Sequence, residues 1–146
     1  MTDALTLAPA QADYRFRSVA LLGFATLLVI VSVFHATALE LAGIWWHSGT
    51  FAHGLVVLPI SAWLIWERRA SLAALALSPS ALALIPLALA GAVWVLGSAA
   101  RVAALEHFAL VAMLVSALWA VWGNAIARAS AFPLAFLFFA VPFGEF

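Results

Sequence analysis

An all-α bundle of membrane-crossing helices is the fold class that this sequence predicts, and three observations carry it. Hydrophobic residues fill 68% of the 146 positions and charged residues 8%, whereas a soluble domain keeps about a quarter of its residues charged. Mean hydropathy is +1.18. The few charges stand in small groups, separated by apolar runs long enough to cross a bilayer.

The elements follow in chain order. Residues 1–18 mix polar and charged side chains around Pro9 without an apolar period, which predicts a short cytoplasmic tail with Arg15 and Arg17 beside the membrane. From Val19 to Leu39 runs an uncharged stretch of 21 residues, bounded by Glu40. At 1.5 Å per residue it reaches roughly 31 Å, enough for the hydrocarbon core. Its flanking arginines and the small-x-small Ala36-Thr37-Ala38 also suit a cleavable signal peptide. The length of the core and the apolar spans downstream favour a retained first helix.

Glu40 to Gly54 reads as a polar, aromatic outer loop, with Trp45 and Trp46 suited to an interfacial belt. A second helix runs from about Phe51 to Trp66, closed by Glu67-Arg68-Arg69 and kinked at Pro59. After Ser78-Pro79-Ser80 come a third span, Ala81 to Ala100, and a fourth, about Ala103 to Trp122, which Gly123 and Asn124 stop. Phe132 to Phe143 holds 12 apolar residues. It is either a re-entrant segment or a further span starting near Ala125, so the expectation is four to five transmembrane helices.

Arginine counting orients the bundle. With the amino terminus cytoplasmic, Arg15, Arg17, Arg68, Arg69 and Arg128 fall inside and Arg101 alone outside, the bias of the positive-inside rule. His35, Glu40, His47, His53, Glu106, His107 and Glu145 then lie toward the outer face. Intramembrane or interfacial ionisable groups are candidates for a site because they are costly to keep, although each also has an ordinary reading as a solvated headgroup contact.

Several function classes are excluded or weakened. There is no lysine and the net charge is zero, so no basic patch invites nucleic acid. There is no cysteine, hence no thiol nucleophile or thiolate metal site within these residues. His47 and His53, with His107 and a glutamate brought near, would make a metal site, but no H-x-x-x-H or H-E-x-x-H spacing supports one. Ser48 beside His47 lacks a G-x-S-x-G elbow. Trp63, Trp66, Trp119 and Trp122 suit an inner interface as lipid anchors, and Gly91 and Gly97 suit close helix packing. No metal and no cofactor are expected.

One ordered combination goes further: Phe51-Ala52-His53-Gly54, the helix end Leu64-Ile65-Trp66-Glu67-Arg68-Arg69, and Phe132-Pro133 through Val141-Pro142-Phe143-Gly144-Glu145. Together these resemble the exosortase family of bacterial membrane transpeptidases, most like its type A branch, associated with exopolysaccharide. Ala52 stands where the family pattern has serine.

The resemblance implies a multi-pass enzyme of the bacterial inner membrane. It would recognise a C-terminal Pro-Glu-Pro motif, followed by a transmembrane helix and basic residues, on exported proteins, and cleave that tail. The implied machinery is a Cys nucleophile with Arg and His partners, and no position here matches those motifs. Residues 19–146 are therefore expected to be the amino-terminal portion of such an enzyme, without its catalytic half and inactive alone. His53, Gly54 and Glu145 are the expected outer-face contacts to substrate. The expected partners are membrane lipid and the C-terminal tails of exported proteins. The alternative reading is a non-enzymatic membrane subunit that packs against a partner and scaffolds it.

Overall fold

The computed structural model describes residues 9–142, and every regular element among them is helical. Glu145 and residues 1–8 lie outside that range. Helix α1 spans Pro9–Val33. Proline suits a first helical turn, where its missing N–H has no intrahelical partner to lose. The helix therefore starts ten residues before the uncharged run does, and takes Arg15 and Arg17 into its first half. At Phe34 the backbone leaves helical geometry (φ −104°, ψ 33°), and α2 resumes over His35–His47.

The expected loop from Glu40 to Gly54 is thus helical for its first half. Thr37, Leu41 and Trp45, spaced four apart, are the buried stripe that makes it so. Only residues 48–53 remain as a turn before α3, Gly54–Glu67, which continues past Pro59 without an interruption of the helix. The short α4, Arg69–Ala73, follows.

A 3-10 turn at Ala81–Ala83 leads into α5, Leu84–Ala100, which pairs with α6, Ala103–Trp122, in the most extensive contact of the bundle. The tight turn between them puts Arg101 in the left-handed region (φ 56°). There Val102 N–H reaches Gly97 O at 2.9 Å, closing the helix as glycine usually does at this place. The chain then continues through α7, Asn124–Ala129, α8, Ala131–Phe136, and a 3-10 turn at Leu137–Ala140.

Among the described residues, three helical stretches are long and apolar enough to cross a membrane: Ala10–Val33, Ala81–Ala100 and Ala103–Trp122. Two shorter apolar stretches, Gly54–Glu67 and Ala131–Ala140, accompany them. The protein is an all-α membrane bundle. Its centre is α6, of whose spanning window 44% is buried, against 11% for α1 and 17% for the stretch containing α5. The exposed side chains of α1 and α5, such as Phe24, Val29, Ile85, Leu89 and Leu96, are leucine-like surfaces that hydrocarbon solvates as well as a protein core would.

The last stretch does not turn back. It starts beside Arg68, whose Nη1 donates to Ala129 O at 2.8 Å, and finishes beside Trp45 and His53 at the other end of α3. Residues 124–140 therefore traverse the bundle alongside α3, as a helix broken at Ser130 and tightened at Leu137.

Two packing knots hold the ends. Toward the end where α1 begins, Val19, Leu72, Leu118, Trp122, Ile126 and Leu134 form one core cluster. Trp122 is 4% exposed and its indole N–H donates to Val19 O at 2.9 Å. A Cβ at Gly23 would lie 2.6 Å from that indole, so glycine is what lets the ring lie flat against α1. Trp122 is thus a core residue and not the lipid anchor its position suggests, while Trp63 and Trp66 are exposed.

The glycines of α5 divide similarly. A Cβ at Gly97 would stand 3.0 Å from Leu105 Cβ and 3.1 Å from Glu106 N, so this one serves the α5–α6 crossing. Gly91 has open space around it and serves no close approach.

Five of the six arginines share one end. Arg69 and Arg15 sit with residues of α1 and α4 there, Arg68 meets Ala129, and Arg17 and Arg128 belong to the adjoining turns of α1 and α7. Arg101 stands at the other end, in the α5–α6 turn.

Candidate functional site

The end opposite the arginine cluster gathers most of the polar groups that the sequence singles out. They fall into two assemblies, one of packed ionisable groups and one built on the Phe51-Ala52-His53-Gly54 motif.

The first assembly joins α2, α5 and α6. Trp94 Nε1–H donates to Thr37 Oγ1 at 3.1 Å, and the Thr37 hydroxyl in turn approaches Glu106 Oε2 at 3.4 Å. One residue on, the His107 ring is fully buried, and neither nitrogen has a hydrogen-bond partner. Glu40 Oε2 stands 3.8 Å from its Nε2, beyond hydrogen-bond distance. Thr37 and Trp94 are absent from any reading based on ionisable residues. Their signal was the four-residue stripe on α2 for the first, and a lone indole in an otherwise aliphatic helix for the second.

These groups do not make a metal centre. Among the described residues no three His, Asp or Glu side chains are placed to hold an ion. His47 is turned back on its own helix, with Nδ1 2.9 Å from Gly43 O, and His35, at the start of α2, on the end of α1, with Nδ1 3.1 Å from Ser32 O. Ser48 serves the turn: its Oγ accepts from Phe51 N–H at 3.3 Å.

The second assembly explains the motif physically. Trp45, 8% exposed, donates its indole N–H to Ala140 O at 2.7 Å. That carbonyl belongs to the last turn of a 3-10 helix, where backbone acceptors lack intrahelical partners. The indole reaches it by lying across Gly54, where any Cβ would collide with the ring. The close approach that Gly54 permits is therefore made by Trp45. Leu41, Val57 and Ala140 complete this apolar cluster, with Phe136 packed against it.

His53, exposed at the start of α3, adds a second tie. Its Nε2 is 3.1 Å from Phe139 O and its Nδ1 3.2 Å from Thr50 O. Both neighbours are acceptors, so a neutral ring donates to one of them at a time. Trp45 and His53 together hold two successive carbonyls, 139 and 140, at the end of the last traversing stretch. The backbone that leaves this clamp continues into Val141 and Pro142, both buried, at the end of the bundle where His53 meets Phe139 O.

What this arrangement offers chemically is positioning. Histidine and indole donors fix a backbone segment at the mouth of the bundle. Of the two hydroxyls in the turn, that of Ser48 accepts from Phe51 N–H, while Thr50 contributes its carbonyl to His53. The polar surface around it carries Glu40 and His47 beside a shallow depression that Gly43, Ile44 and Ser48 complete.

Comparison with known proteins bears on this end of the molecule. No curated protein and no solved structure matches the chain. A family model does: the one described as Transmembrane exosortase (Exosortase_EpsH) matches residues 45–146. The match begins at Trp45, the donor of the clamp, and takes in His53, Gly54 and the carbonyls they hold. With well over half of its length so matched, this chain belongs to the transmembrane exosortase family.

Proposed function

We propose that this chain is the membrane-embedded, substrate-receiving part of a bacterial inner-membrane exosortase, which handles the C-terminal tails of exported proteins bearing a Pro-Glu-Pro motif. The single observation that supports the reading is the clamp of Trp45 and His53 on the carbonyls of residues 139 and 140, built from residues inside the family match. A protease of extended peptides needs a rigid frame beside the bond it attacks, because reaction rate depends on holding the reacting groups in register. Here the clamp would supply that frame at the outer end of the bundle.

The residues of this chain bind and orient; the nucleophile lies elsewhere. None of the 146 residues is cysteine, so the thiolate that a cysteine transpeptidase requires is not among them. These 146 residues by themselves are accordingly inactive in tail cleavage. The same absence favours, as a second reading, a scaffold subunit that performs no chemistry and holds a partner.

A reporter carrying a Pro-Glu-Pro tail tests both. The chain alone should leave the tail intact, and joining it to a family segment that bears the thiol should restore cleavage. Cleavage by the chain alone that resists thiol alkylation, and disappears with Ser48→Ala, would refute the proposal. A joined protein that binds the reporter without ever cutting it would favour the scaffold.

A further inference from the structure

Between α6 and the last traversing stretch lies an open groove of about 340 Å³. Val115, Ala131, Leu134, Ala135 and Phe138 line its length, and Trp119, Asn124 and Arg128 stand at its arginine-rich end. From Arg128 to Phe138 is ten residues, a rise of roughly 15 Å in helix. That is about half of a hydrocarbon core some 30 Å thick. The groove is therefore as deep as one leaflet, apolar along that depth and cationic at its mouth.

Two polar side chains stand at the mouth, Asn124 and Arg128. Trp119 Nε1–H donates to Asn124 Oδ1 at 2.7 Å, which fixes the amide with its NH₂ side free to donate elsewhere. Arg128 is exposed, and among the described residues no arginine stands within 4 Å of a carboxylate. Its neighbour in this corner, Arg68, is committed to Ala129 O. Arg128, at the arginine-rich end, thus has no acidic partner among the described residues.

We propose that this groove is a binding site for one anionic phospholipid: an acyl chain lies between α6 and α8, and the phosphate is held by Arg128 and the Asn124 amide. The occupant follows from charge complementarity and from the depth of the slot. A zwitterionic lipid fills the same slot with less electrostatic gain, since its ammonium opposes Arg128. The site is separate from the clamp, which lies at the opposite end of the bundle.

Native mass spectrometry of the full chain in mild detergent, titrated with phosphatidylglycerol or with phosphatidylcholine of the same acyl chains, tests this. One arginine near a phosphate should give about a fivefold preference for phosphatidylglycerol. Arg128→Gln should abolish the preference and Arg128→Lys should keep it. Arg101→Gln, at the other end, should leave it unchanged. Ala135→Trp, which fills the slot from an exposed position, should reduce retention of both lipids.

Equal retention of the two lipids by the unaltered chain would overturn the proposal, as would a preference that survives Arg128→Gln. So would retention of both lipids undiminished by Ala135→Trp, with that change instead dissociating a dimer, which would assign the groove to a second copy.

Discussion

Replacing Gly54 by alanine adds one methyl group at the place where the Trp45 indole crosses α3. The ring cannot slide along the helix without leaving Ala140 O, to which its N–H is bonded at 2.7 Å. Overpacking of this kind costs about 1–3 kcal/mol, and a buried carbonyl stripped of its donor costs a further 1–3 kcal/mol or so. Relaxation shares these terms, so the expected loss is about 2–4 kcal/mol. Gly43→Ala is the internal control. It lies in α2 with nothing near its absent Cβ, and should gain about 0.5–1 kcal/mol from helix propensity alone. Unfolding in mixed micelles, followed by tryptophan fluorescence, reads both. Equal effects of the two substitutions, or a loss below about 0.5 kcal/mol for Gly54→Ala, would show that the indole does not rest where this reasoning puts it.

Three other outcomes follow from the same structure. Arg101→Gly should stabilise the α5–α6 turn by about 1 kcal/mol, because only glycine adopts φ 56° without a Cβ penalty; a lower melting temperature would contradict the turn geometry. His107→Leu should leave stability unchanged or raise it by about 1 kcal/mol, since a fully buried imidazole without hydrogen bonds is replaced by an apolar side chain. A marked loss in the same thermal assay would mean that the ring has a partner. With five arginines at one end, Ser48→Cys should react with an impermeant maleimide in intact cells and Ser71→Cys should not; the reverse labelling would invert the topology.

Much of the architecture was legible because apolar length is a strong signal. The spans Ala81–Ala100 and Ala103–Trp122 are bounded by charge, glycine or proline, and the helices end where those residues stand. The breaks at Phe34 and Ser130 left no such mark, since neither residue is a helix breaker. Tryptophan misled for a related reason. Composition places indole at interfaces, but Trp45 and Trp122 each found a glycine to lie against and a backbone carbonyl about a hundred positions away. The motif Phe51-Ala52-His53-Gly54 carried no sign of what its residues pack against. Its histidine and glycine serve the docking of the 139–140 turn, a relationship visible only once the last stretch is seen to run beside α3.

In the proposed function, the clamp at Trp45 and His53 borders the place where an exported tail is received. A photoreactive residue at Ala52, which is exposed beside His53, and another at Ser71 beyond α3 at the arginine-rich end, would test it in cells carrying a Pro-Glu-Pro-tailed reporter. The Ala52 position should capture the reporter near its Pro-Glu-Pro segment, and that capture should weaken in the Trp45→Phe background, where the Ala140 carbonyl loses its donor. Capture of that segment at Ser71 and none at Ala52 would contradict it.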